Sequence, residues 1–141
     1  EHVIPEITGR IVEMSNGLEL KEIDLPIQGD GSETRSFCDI TDGARGAFLA
    51  GELGENGNIY HVGTEEEVSI KHLVETIGDV MGVKINVVAG ELRAGGTPRR
   101  CPGIEKLGAL GYPPRYSFRE AVERCVSWYV DHYLALRKAD A

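Results

Sequence analysis

Apolar residues along this chain recur at helical spacing in some stretches and alternate in others, which reads as a mixed α/β protein. The clearest helical stripe is Phe118, Ala121, Val122, Cys125, Val126, Tyr129, Tyr133 and Leu136, positions that fall on one face of a 3.6-residue period. Ser117 and Glu120 stand just before it as a capping box, the hydroxyl and carboxylate each satisfying the other residue's backbone N–H. A second helix is predicted over SIKHLVETIGDVMG, with Ser69 as cap, Ile70, Leu73, Val74, Ile77 and Met81 inward, and Gly82 as stop. The opening HVIPEITGRIVEMSNG reads as a short helix that tolerates Pro5 near its start and ends at Asn16-Gly17. Residues 41–51 are expected to be helical, capped by Thr41 or Asp42, with Ala44, Ala47, Phe48 and Ala50 as the apolar face. GIEKLGALGY gives a short helix broken by Gly111, and Pro113-Pro114 forces a turn. Extended segments are expected at LPI, on both sides of the Gly-Asp-Gly turn, and at NIYHVG and KINVVAG.

The 141 residues suffice for one domain with a buried core, and 41% hydrophobic with 27% charged residues is the balance of a folded, soluble chain. No apolar run approaches the ~20 residues needed to span a bilayer, and no Lys/Arg-led apolar leader is present, so a cytoplasmic setting and no membrane partner are expected. Cys38, Cys101 and Cys125 have no metal-like spacing and are expected as unpaired thiols. A net charge of −8 argues against a nucleic-acid partner. The charge is uneven, however. Through position 90 there are six basic and 17 acidic residues; after it there are nine basic and six acidic. Arg93, Arg99 and Arg100 fall within eight residues in that second part, which reads either as a solvated basic loop or as a local anion site.

Several motifs fail on their context. Gly51, Gly54 and Gly57 have dinucleotide-like spacing, but that motif needs a strand before it and a helix after it, and the opposite order is predicted. The four histidines lack metal-ligand spacing. No G-x-S-x-G elbow is present, and Tyr133 is followed four positions later by Arg137 rather than Lys. No catalytic residue is assigned. Two constellations remain. In LPIQGDGSETRSF the turn is expected to bring two extended pieces together and leave Arg35 on the outgoing one. In ELRAGGTPRRCPGIEKLGALGY, Arg93 is followed by Gly95-Gly96, a pair that permits close backbone approach to a ligand. Two arginines from distant segments suit a diphosphate, because each guanidinium offers paired N–H donors to phosphate oxygens.

The order HVIPE, LPIxGDGSxTRxF, YxxGxxEEVSI, RxGxxxRRCPxIxKLxxLGY and SxxExxxxxVxWY, which covers nearly the whole chain, resembles the extended short-chain dehydrogenase/reductases that act on nucleotide sugars, the NAD-dependent epimerase/dehydratase family. The resemblance implies an α/β fold with a small mixed sheet and several helices. That fold would be the C-terminal, substrate-binding portion of a Rossmann-type enzyme, without the N-terminal NAD(P)-binding domain and its Gly-rich loop and Tyr-x-x-x-Lys set. It implies binding of a UDP-, dTDP- or GDP-sugar. NAD or NADP is expected in the intact enzyme, a homodimer that would act as an epimerase, 4,6-dehydratase or decarboxylase. Arg35 and Arg93 match the family's diphosphate contacts. Val3, Ile4 and Pro5 match the helix start lining the nucleobase pocket, and Pro26 and Gln28 the segment packed against the base, where Gln28 could instead hydrogen-bond the base edge. Gly96 stands where the family often places a ribose-contacting polar residue, and Gly103 where it places a helix-capping Asp. The alternatives are a non-catalytic sensing or interaction module and a sugar-nucleotide reductase.

Overall fold

The computed structural model describes residues 2–91 and 95–139. In chain order the elements are α1 (Val3–Met14), β1 (Glu22–Ile27), β2 (Thr34–Ser36), α2 (Ile40–Leu53), β3 (Glu67–Ser69), α3 (Ile70–Met81), β4 (Lys84–Ala89), β5 (Arg99–Arg100), α4 (Glu105–Gly108) and α5 (Phe118–Ala139). They divide into two compact units: Glu1–Ser32, Ser69–Gly96 and Val122–Ala141 contribute to the first, and Glu33–Val68 and Thr97–Ala121 to the second. The expected α/β class is found, its strands arranged as two small sheets.

The first unit is built on β1 paired in parallel with β4, in a register running from Glu22 opposite Lys84 to Ile27 opposite Ala89. Alternation along β1 buries Ile23, Leu25 and Ile27 and exposes Glu22, Asp24 and Pro26, the period-two pattern of a strand with one wet face. Helix α1 buries Ile7, Thr8, Ile11 and Val12, and α3 buries Leu73, Val74, Ile77 and Met81. The buried hydroxyls of Thr8 and Thr76 donate to the carbonyls four residues earlier, at 2.8 Å each, so neither is left unsatisfied. Both predicted punctuators of α3 hold: Ser69 Oγ accepts from His72 N at 3.1 Å, and Gly82 takes a left-handed φ of 68°.

The Gly-Asp-Gly turn behaves differently from the expectation. It does not pair the two extended pieces, because β1 pairs with β4 and β2 with β5. The turn is held locally instead. Ser32 N donates to Asp30 Oδ1 at 2.9 Å and Lys71 N to Gly31 O at 2.9 Å; the Ser32 hydroxyl and then its backbone N–H hold the Asp30 carboxyl below its ordinary pKa.

In the second unit the strand order is β3-β2-β5, with β2 and β5 parallel. Its core gathers Ile104, Leu107 and Tyr112, with Leu49, Ala50, Tyr60 and Leu110 packed against it, and the rings of Phe37 and Phe118 lie 6.0 Å apart. Helix α2 forms where expected but presents another face. Its cap is Asp39, whose carboxylate accepts from Thr41 N, and the inward residues are Asp42 and Gly46, while Ala44, Ala47 and Phe48 face solvent. At Gly46 a Cβ would meet Val62 at 2.7 Å and Tyr112 at 3.0 Å, so the tight contact selects a glycine face over an alanine face. Phe48, 69% exposed, is therefore expected to tolerate Phe48→Ser within about 0.5 kcal/mol in a denaturant melt. A loss above 2 kcal/mol would return Phe48 to the core.

NIYHVG forms no strand among the described residues. Alternation supplies a strand's side-chain pattern, not the partner its N–H and C=O groups require. The capping box of α5 is present, Glu120 accepting from Ser117 N at 2.8 Å and Ser117 Oγ at 2.7 Å. On its stripe Phe118, Ala121, Val122 and Val126 are buried, Cys125, Tyr129 and Tyr133 half-buried, and Leu136 exposed.

Candidate functional site

The second unit's three-stranded sheet orders its arginines by face. In the β2–β5 register Thr34 lies opposite Arg99 and Arg35 opposite Arg100. Residues paired across strands project to the same face, and their chain neighbours to the other. Glu67 of β3 marks the first face: its carboxylate accepts from Arg99 Nε at 3.0 Å and Nη2 at 2.7 Å, and from the Thr34 hydroxyl. The Thr34 hydroxyl and then Arg99 hold the Glu67 carboxyl below its usual range, and Glu67 in turn raises Arg99. Arg99 is thus occupied by a bidentate structural pair.

Arg35 is half-buried on the opposite face. Its Nη1 donates to Thr34 O at 2.7 Å and reaches Pro98 O at 3.5 Å. These carbonyls fix the base of the guanidinium and leave the Nε and Nη2 donors without a protein acceptor among the described residues. Thr34 N donates to Pro98 O at 2.9 Å, so the segment after the glycine pair is stitched directly to the strand that carries Arg35. Arg93, the other predicted diphosphate residue, lies outside the described residues.

The predicted base-side residues belong to the first unit. Val3, Ile4 and Pro5 form the half-buried first turn of α1, and Pro26 and Gln28 are exposed, on β1 and just past its end. Sequence reading passed over Arg10, whose Nη2 donates to Pro26 O at 2.6 Å and thereby ties α1 to β1. An open cleft of about 620 Å³ runs between α1 and the later turns of α5, bordered by Pro5, Gly9, Arg10, Tyr133 and Arg137. Of the five base-side residues only Pro5 borders it. Arg100 is read from the sequence only as one of the basic cluster Arg93, Arg99 and Arg100, with the same surface or structural role expected for it as for Arg99. The signal for it lay in the alternation of a two-residue strand, which puts Arg99 and Arg100 on different faces.

Nothing in the described side chains resembles an activated nucleophile or a metal site. Burial pushes the Cys38 thiol above its ordinary pKa, against the smaller opposing effect of its contact with the Tyr112 hydroxyl, so it stays protonated at neutral pH. Tyr112 itself is raised by burial and donates to Gly63 O at 3.0 Å. No group of three His, Cys, Asp or Glu able to hold a metal ion occurs among the described residues, and no helix there is long and apolar enough to cross a membrane.

No family model matches the sequence. The chain is 28% identical over 132 residues to a putative GDP-L-fucose synthase of Arabidopsis thaliana, covering 93% of this chain and 39% of that protein. It is 30% identical over 133 residues to the dTDP-glucose 4,6-dehydratase of Streptomyces antibioticus, with the same coverage of 93% and 39%. Among solved structures, the dTDP-glucose 4,6-dehydratase of Streptomyces venezuelae with NAD bound superimposes with a TM-score of 0.76 at 28% identity, over 92% of this chain and 38% of that one. The chain thus spans about two fifths of the length of the relatives it matches. These likenesses agree with the motif order and with the α/β elements found, and the chain belongs to the nucleotide-sugar epimerase/dehydratase family of extended short-chain dehydrogenase/reductases, matching the C-terminal part of those enzymes.

Proposed function

We propose that this chain binds the diphosphate of a nucleotide sugar on behalf of an NAD(P)-dependent epimerase, dehydratase or decarboxylase. The observation that carries the reading is Arg35. It is a half-buried guanidinium fixed on one edge by backbone carbonyls, with no carboxylate within 4 Å among the described residues and with donors left over. A buried or half-buried cation without a counter-charge is poorly compensated until an anion arrives. Arg93 is proposed as a second phosphate contact and Val3, Ile4, Pro5, Pro26 and Gln28 as base contacts; for these the support is the family resemblance. In such an enzyme the nicotinamide cofactor supplies the hydride chemistry. This chain's residues contribute binding energy from the nucleotide, a part of the substrate remote from the reacting carbon.

Exposed apolar residues along α2 and just after it support the view that a further domain works with this chain. Ile40, Phe48 and Leu53 are 81%, 69% and 59% exposed, and Ile59 shortly after the helix is 74% exposed. An apolar surface of this kind is normally covered by a partner. The binding role is tested by titrating the chain with UDP, dTDP and GDP and their nucleosides. Arg35→Ala is expected to weaken diphosphate binding by about 2–3 kcal/mol, the scale of a charged hydrogen-bonding group. Arg35→Lys should restore only part, because an ammonium lacks the planar fork. Equal binding by Arg35→Ala and the unmodified chain would end the reading.

A further inference from the structure

The sheet singles out one arginine of the basic cluster that the sequence shows only as a group. Arg100 lies directly opposite Arg35 in the parallel β2–β5 register. Strands in such a pair run about 4.8 Å apart, and paired side chains share a face. That this is not the Glu67 face follows from the neighbouring pair, since Thr34 and Arg99 both donate to Glu67 and alternation turns the next residue of each strand away.

Like charges set directly opposite each other across strands destabilise the pair. Ordinarily a carboxylate relieves the repulsion, as Glu67 does for Arg99. On the Arg35 face neither guanidinium has an acidic partner within 4 Å among the described residues, and Glu33, two positions before Arg35, makes no such pair with it. Among the described residues Arg100 Nη2 donates to Thr97 Oγ1 at 3.2 Å, which orients the guanidinium without neutralising it. The result is two adjacent forks without an ion-pair partner among the described residues, Arg35 half-buried and Arg100 open to solvent.

We propose that Arg100 and Arg35 form a paired-guanidinium anion site on this face of the sheet, with Arg100 taking one phosphoryl group of a diphosphate and Arg35 the other. The assignment rests on the reading that the chain grips a nucleoside diphosphate, and it adds a contact on the same sheet as Arg35, independent of residues 92–94. Two forks side by side match the two phosphoryl groups of a diphosphate better than one phosphate, since each fork takes two oxygens of one group in parallel N–H···O bonds.

The test is a nitrogen-15 NMR titration of the full chain with dTDP, thymidine, inorganic pyrophosphate and inorganic phosphate, following the arginine Nε–Hε signals. It is repeated with Arg35→Gln, Arg100→Gln, Arg100→Lys and Arg99→Gln, each checked for an unchanged fold by the backbone spectrum. The Nε–Hε signals of both Arg35 and Arg100 are expected to shift with dTDP and pyrophosphate, and thymidine alone to move neither. Arg100→Gln should weaken dTDP binding by about tenfold to a hundredfold, the range of one charge-assisted contact, with partial recovery in Arg100→Lys. Arg99→Gln removes the same charge from the opposite face and should change affinity less than threefold. Loss in Arg35→Gln with no change in Arg100→Gln would overturn the Arg100 assignment and leave the diphosphate-binding reading standing. Pyrophosphate binding with no preference for dTDP would keep the arginine pair but remove the nucleotide from the reading. No binding of any diphosphate by the unmodified chain would overturn both.

Discussion

Replacing Asp42 by alanine is expected to destabilise the second unit by about 2–4 kcal/mol, because the buried carboxylate accepts from two backbone donors of the turn before α5. Its Oδ2 accepts from Arg115 N at 2.7 Å and Tyr116 N at 3.1 Å, and its Oδ1 lies 3.6 Å from Arg45 Nη2. Asp42 is only 1% exposed and sits in the first turn of α2, where the helix dipole favours a negative charge. Arg45 leans on the same cluster: its Nη2 donates to Pro113 O, and its guanidinium lies 5.3 Å from the Tyr112 ring centre. Alanine would strand two N–H groups and a partly buried cation at once, which is why the expected loss exceeds that of a surface ion pair. Asp42→Asn keeps one uncharged acceptor and should lose roughly half as much. Arg115→Ala is the internal control. That residue meets Asp42 through its backbone, its side chain is exposed, and it should stay within about 0.5 kcal/mol. Urea melts of the three variants measure the differences, and an Asp42→Ala loss no larger than that of Arg115→Ala would refute the staple.

Asp42 also shows where sequence reading stops. Position 42 was legible as a possible helix cap, because Asp near a helix start accepts backbone N–H bonds. The cap turned out to be Asp39, and the N–H groups that Asp42 accepts come from 73 and 74 positions away, a separation no local pattern encodes. The same division runs through the fold. Cues acting within one or two helical turns were readable: Ser69 and Gly82 on α3, Ser117 and Glu120 on α5, and the stripe of α3 itself. Which strand pairs with which was not. LPI and TRS flank a turn and invite a hairpin, yet their partners are KINVVA and the Arg99–Arg100 strand, because parallel pairing requires a long crossover that leaves no mark at the turn.

For the candidate site the same physics explains what was found and missed. Arg35 stood out because it follows a glycine turn and sits in a motif shared with a known family. Arg100 stood out only as a member of the basic cluster, because one arginine of an adjacent pair looks like the other until the register assigns each a face. The apolar side of α2 was misplaced for a related reason. Alanine and phenylalanine at helical spacing imply a buried stripe only if whatever covers it belongs to the same compact unit. Here the close approach is made by Gly46, Ala50 packs at the edge of the core, and Ala44, Ala47 and Phe48 are left outside.

The second large effect expected is at Gly78, where alanine should destabilise the first unit by about 2 kcal/mol although it is the better helix former by about 1 kcal/mol. Gly78 lies in the interior of α3 and is fully surrounded. A Cβ built there would fall 2.4 Å from Ile85 Cγ1 and 2.7 Å from Val83 O. The isoleucine could rotate away, but the carbonyl is backbone. It belongs to the tight turn in which Val83 N donates to Gly78 O at 2.9 Å, so relieving the clash means moving the start of β4. That strand supplies the partner of β1 over six residue pairs, and displacing its first residues strains the ladder they open. Gly43 provides the contrast. It too lies in a helix, α2, but among the described residues no atom outside its own stretch of helix backbone comes within 4 Å of a Cβ built there, so Gly43→Ala should stabilise by about 0.5–1 kcal/mol through propensity alone. The same substitution is therefore expected to carry opposite signs at two helical glycines. Thermal or urea melts giving both variants the same sign would show that α3 and β4 approach less closely than 2.4–2.7 Å implies. A lowered midpoint for Gly78→Ala beside a raised one for Gly43→Ala would tie the β1–β4 pairing to the missing side chain at position 78.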